Sequence, residues 1–79
     1  MSSVHSAEYQ EFLARLRQAR EDAGLTQVDV ARHLRKPQSY VSKSESGERR
    51  VDVIELLELL HLYSANPAAF VRALKRPKR

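Results

Sequence analysis

Residues 25–50 read LTQVDVARHLRKPQSYVSKSESGERR, and their pattern predicts a helix, a tight turn and a second helix. Val30, Ala31 and Leu34 fall at i, i+1 and i+4 and share one face of a short helix, while Gln27, Asp29 and Arg32 occupy the other. Pro37 disfavours helix in the residue before it and presets the backbone for a new start, so one helix stops at Arg35-Lys36 and another begins. That second helix, about Gln38 to Ser46, has Val41 as its only firm inward anchor, with Tyr40 partly apolar. It otherwise displays Gln38, Ser39, Ser42 and Lys43. Gly47 ends it, as the residue that tolerates a left-handed C-terminal conformation.

So polar a helix needs a reason. Glutamine, serine and lysine carry donors that match base edges or phosphate oxygens of double-stranded DNA. Residues 32–50 add Arg32, Arg35, Lys36, Lys43, Arg49 and Arg50 against Glu45 and Glu48, a local +4 that equals the net charge of the whole chain and lies where the polar helix is. Such a patch gives sequence-independent affinity for phosphates that weakens with salt. Charge alone does not separate DNA from an acidic protein or a membrane surface.

The segment from Leu25 to Arg50 resembles the Cro and phage-repressor-like helix-turn-helix family, of the xenobiotic-response-element type. The features that carry the resemblance are the LTQ opening, Ala31, the PQSYVSK run, Glu45, Gly47 and the basic pair. It implies an all-α, compact five-helix repressor-like DNA-binding domain with the helix-turn-helix at helices 2 and 3. It further implies base contacts by Gln38, Ser39, Ser42 and Lys43, and a backbone contact by Gln27. It also implies a structural ion pair between Arg20 and Glu45. Tyr40, Arg49 and Arg50 are expected to join Gln27 on the phosphates. Three positions depart from the family pattern: Arg35 where the turn usually has glycine, Lys36 where a buried aliphatic is common, and Ser44 in place of a large apolar residue. The first predicts strain if its φ is positive, the second a stem that packs or points outward, the third a looser seat for the second helix.

Seventy-nine residues allow one domain with a small core, and the absence of cysteine removes disulfides and thiolate metal sites. No stretch approaches the length of a membrane span and the N-terminus lacks the regions of a secretory signal, so a soluble, cytoplasmic protein is expected. Residues 1–6 are read as a disordered segment, residues 7–75 as the DNA-binding domain and residues 76–79 as a basic tail. Ser6 is the expected N-cap of a first helix from about Ala7 to Ala23, with Leu13, Leu16, Ala19 and Ala23 as its inner stripe. Gly24 closes that helix and Thr26 caps the next. Asp52-Val53-Ile54-Glu55 has the spacing of a capping box, and Asn66-Pro67 that of a capped start with proline in the first turn. The fourth helix carries apolar residues at all but Glu55, Glu58 and His61, more than one small core absorbs. Leu56, Leu59, Leu60, Phe70 and Leu74 of the last two helices are therefore expected to form a homodimer interface.

His5, His33 and His61 lack metal-ligand spacing, and neither a glycine-rich phosphate loop nor a nucleophile motif is present. No enzyme, cofactor, metal or small-molecule ligand is expected. The reading is a sequence-specific transcriptional regulator, acting as a homodimeric repressor on a palindromic operator. The alternative is an antitoxin or co-regulator whose main role is to bind a partner protein.

Overall fold

The computed structural model describes residues 6–74, and these form five helices in the order α1 (Ala7–Asp22), α2 (Gln27–Leu34), α3 (Gln38–Ser46), α4 (Val53–Leu62) and α5 (Pro67–Arg72), with no strand among them. The readings of residues 1–5 as disordered and of 76–79 as a tail lie outside the described residues. Ser6, counted with the N-terminal segment in the sequence reading, is the ordered N-cap of α1: its hydroxyl accepts from the Tyr9 N–H. The other helix starts follow the same chemistry. Thr26 and Asp52 each close a reciprocal capping box, with Asp29 and Glu55 respectively, and Asn66 accepts from the Ala69 N–H ahead of Pro67. Each satisfies backbone donors that the helix itself leaves unpaired.

Leu16, Val30, Ala31, Val41, Leu59, Leu60 and Tyr63 make the core, ringed by half-buried Phe12, Leu25, Leu34, Val51, Leu56 and Phe70. Every helix except α5 contributes a buried residue. α5 docks through Phe70, whose ring meets Phe12 edge-on at 6.0 Å between centroids. Among the described residues no helix is long and apolar enough to cross a membrane.

Two expectations about which side chains face inward are corrected. Ala23 is exposed at the α1 C-cap, and its expected place on the inner stripe goes to Arg20, only 8% exposed. Leu59 and Leu60, expected at an interface, are buried in the core of the single chain, because the turn of α4 that holds them faces α1, α2 and α3. Of the other residues assigned to that interface, Leu56, Phe70 and Leu74 are half-buried. The large apolar side chains α4 and α5 do expose are Val53, Ile54, Leu57 and Val71.

The α2–α3 turn runs through Arg35 at φ 57° and ψ 44°, the left-handed conformation the family pattern assigns to glycine. The Lys36 N–H reaches back to the Ala31 carbonyl at 3.0 Å and closes α2. Holding a side chain in this region costs about 1–2 kcal/mol per residue. Arg35→Gly is therefore expected to raise stability by about 0.5–1 kcal/mol, after part of the strain relief is offset by the greater freedom of glycine in the unfolded chain. A thermal melt reads this as an increase of several degrees; an unchanged or lower midpoint contradicts it.

Candidate nucleic-acid interface

α3 is held against the rest of the domain by a buried ion pair. Arg20 on α1 donates from Nε to Glu45 Oε2 at 2.6 Å and from Nη2 to Oε1 at 3.1 Å, while its Nη1 meets the Leu25 carbonyl at 2.8 Å. Gln27, in the first turn of α2, donates its side-chain amide to Glu45 Oε1 at 3.0 Å. The hydrogen bond to Glu45, opposed by burial, holds Arg20 above its ordinary pKa. The pair ties α1, the α1–α2 turn, α2 and α3 at one point, so the last turn of α3 cannot move independently of α1.

With that end fixed, the outer face of α3 is presented to solvent. Gln38, Ser39 and Lys43 are exposed and Ser42 is half-buried, its hydroxyl donating to the Ser39 carbonyl at 3.3 Å. Pro37 gives the helix its start but no side-chain cap. Ser44 is buried on the inner face, where its Oγ donates to the Tyr40 carbonyl at 2.7 Å, so the small residue is hydrogen-bonded rather than left as an unsatisfied gap. Lys36 is exposed and places its ammonium 5.2 Å from the centre of the Tyr40 ring.

The residues assigned to phosphates separate into two groups. Arg50 is exposed, its guanidinium 4.9 Å from the centre of the Tyr9 ring, with no ion pair among the described residues. Arg32, Arg35, Lys36 and Lys43 likewise form no ion pair there and supply the open positive charge around α3. Tyr40 and Arg49 are different. The Tyr40 hydroxyl donates to Glu55 Oε2 at 3.1 Å, and Arg49 forms a two-pronged pair with the same carboxylate, Nη1 to Oε1 at 3.1 Å and Nη2 to Oε2. Both side chains, expected on phosphates, are turned onto Glu55 of α4. Gln27 is an intermediate case: one N–H of its amide is on Glu45 at 3.0 Å and the second is left as a donor.

Glu55 carries a role that its sequence context does not reveal. Its part in the capping box is visible from the spacing to Asp52, but its pairing with Arg49 and Tyr40 depends on how α4 packs beside α3. The Arg49 guanidinium first, and the Asp52 N–H next, hold its carboxyl down at about 2. A carboxylate whose pKa is lowered on folding contributes stability above its unfolded value, near 4.5, and loses it as pH falls toward the folded value. Glu55→Gln is therefore expected to flatten the fall of the melting temperature between pH 4.5 and pH 2 relative to the wild type. Parallel curves for the two proteins contradict the assignment.

The whole arrangement has counterparts among known proteins. Residues 11–74 match the helix-turn-helix domain family. The fold superposes on an XRE-family like protein from Pseudomonas syringae pv. tomato str. DC3000 with a TM-score of 0.80 and 43% sequence identity, over 87% of this chain and 84% of that one. No curated protein matches. On the matched span, the identity and the polar face of α3, the chain belongs to the helix-turn-helix family and is a DNA-binding regulator of the XRE type.

Proposed function

We propose that the protein is a sequence-specific repressor that binds double-stranded DNA as a homodimer on an inverted-repeat operator in the cytoplasm. The observation that carries the reading is the exposed row of Gln38, Ser39 and Lys43 on a helix whose opposite face is locked to the core, surrounded by cations without acidic partners. Donors of these types, on a rigid short helix, match the hydrogen-bonding edges of bases in the major groove. The flanking Arg32, Arg35, Lys36 and Arg50 supply the sequence-independent attraction that brings the helix to the groove.

Self-association is supported by the apolar side chains that α4 and α5 leave open: Val53 and Ile54 are each 68% exposed, and Leu57 and Val71 are exposed as well. Half-buried Leu56, Phe70 and Leu74 add to this apolar surface. A two-fold pairing there sets two reading helices about 34 Å apart, one helical turn of DNA. The same surface would serve a partner protein in the alternative reading, in which DNA binding is secondary.

Selection of bound duplexes from a random pool at moderate salt tests the proposal. An enriched inverted repeat with half-site centres about one helical turn apart supports it. Weak, salt-sensitive binding without enrichment, from a protein that sediments as a monomer, contradicts it and leaves the partner-protein reading.

A further inference from the structure

We propose that Glu55 is a specificity-determining positioning residue: through Tyr40 and Arg49 it fixes the reading helix on α4 and holds the Arg49 charge off the DNA backbone. The inference rests on the DNA-reading role of α3 proposed above. Both carboxylate oxygens of Glu55 are committed. Oε1 accepts from the Asp52 N–H at 3.0 Å and from Arg49 Nη1 at 3.1 Å, while Oε2 accepts from the Tyr40 hydroxyl and from Arg49 Nη2. One side chain thus gathers donors from α3, from the segment after it and from the N-terminus of its own helix.

The ring of contacts closes on itself. The Arg49 guanidinium lies 4.2 Å from the centre of the Tyr40 ring, and its Nη1 is also placed 3.3 Å from the Arg50 carbonyl and 3.5 Å from Ser44 Oγ, the hydroxyl that bonds the Tyr40 carbonyl. A guanidinium over an aromatic ring combined with a two-pronged carboxylate pair is an arrangement in which lysine does not replace arginine. Adjacent arginines therefore have opposite electrostatic roles. Arg50 stands on the Tyr9 ring with its charge available, whereas the Arg49 charge is neutralised by Glu55.

That division bears on specificity. A cation placed on a phosphate raises affinity for every duplex alike, and each phosphate neutralised steepens the dependence of log K on log salt by about 0.9. A free Arg49 beside α3 would add this uniform affinity and narrow the margin between operator and random DNA. Glu55 withholds it, and the Tyr40 hydroxyl bonded to the same carboxylate keeps α3 from turning about its long axis.

Binding to a random-sequence duplex, titrated with salt, reads the charge directly, with melting followed by circular dichroism on the same samples. Glu55→Gln keeps one oxygen to accept from the Asp52 N–H and places an amide donor, in place of the second oxygen, toward the Tyr40 hydroxyl, while removing the negative charge. It is expected to steepen the salt slope by about 0.9 per bound protomer and to raise random-duplex affinity several-fold at low salt. Adding Arg49→Ala to Glu55→Gln is expected to return the slope to the wild-type value. A folded Glu55→Gln protein with an unmoved slope overturns the inference. Arg49→Ala alone provides an independent check that does not depend on how the Glu55 variant folds. Its slope should equal that of the wild type, whereas Arg50→Ala should lose about 0.9, and an equal loss in Arg49→Ala overturns the inference. The random duplex keeps the two readings apart: failure of the operator reading appears as a selection without a motif, failure of the Glu55 assignment as these slopes.

Discussion

Replacing Arg20 with methionine is expected to cost the domain about 3–5 kcal/mol, the range for removing one partner of a buried ion pair. The reason is Glu45. Its side chain is 6% exposed and receives two donors from Arg20 and one from Gln27. Without the guanidinium a carboxylate remains buried with a single neutral donor, and the Leu25 carbonyl loses its partner as well. A domain of this length has about 4–12 kcal/mol in total, so the loss takes a large share of it. The double variant Arg20→Met with Glu45→Leu should regain most of the loss, because apolar replacement of both partners removes the unmet charge. Urea unfolding of the two variants measures the difference. Equal destabilisation of the single and the double variant contradicts the argument and assigns the cost to shape rather than charge.

The second large effect is expected at Leu60. The side chain is fully buried within the core cluster, and truncation to alanine removes its apolar contacts and leaves a cavity among Leu16, Val30 and Leu59. Leucine-to-alanine changes at such sites cost about 2.7–5 kcal/mol, depending on how far the surroundings collapse. Leu57, one helical turn away on the outer face and 44% exposed, provides the contrast. Leu57→Ala is expected to change the stability of the single chain by less than about 0.5 kcal/mol. Sedimentation then separates the two: the Leu57 change should weaken self-association at a stability close to that of the wild type. A loss at Leu57 as large as that at Leu60 would place both residues in the core.

These two leucines mark where the sequence was legible and where it was not. Helix starts were, because capping is local: Ser6, Thr26, Asp52 and Asn66 each sit three residues before the backbone N–H they accept. The turn at Arg35 and the polar second helix were legible for the same reason, since Pro37 and Gly47 act on their immediate neighbours. α4 was harder to read. With seven of its ten residues apolar, its pattern does not distinguish an inward face from an outward one, and the assignment waits on the packing of α1 to α3. Hence the pattern places Leu59 and Leu60 at an interface although they close the core, and does not single out the exposed Val53 and Ile54.

Charge patterns share this limit. The basic residues from Arg32 to Arg50 were visible as a patch, but a cation does not announce its partner. Arg49 finds Glu55 six residues on and Tyr40 finds it fifteen on, separations that no local rule connects. Arg20 and Glu45 are twenty-five residues apart, and only the resemblance of the surrounding motif pointed to their pairing. Ser64 is likewise an unannounced left-handed residue, at φ 55°, between α4 and α5. The sequence around it has no glycine to mark the turn.

The central claim is that the outer face of α3 reads bases, and it is tested most directly by measuring the preference for every single-base change in a selected duplex with the wild type, Gln38→Ala and Lys43→Ala. Each variant is expected to lose about 1–3 kcal/mol of discrimination at one position per half-site while the remaining positions keep their order. A uniform loss across all duplexes, or base preferences indistinguishable from those of the wild type, would contradict the assignment of α3 to the major groove.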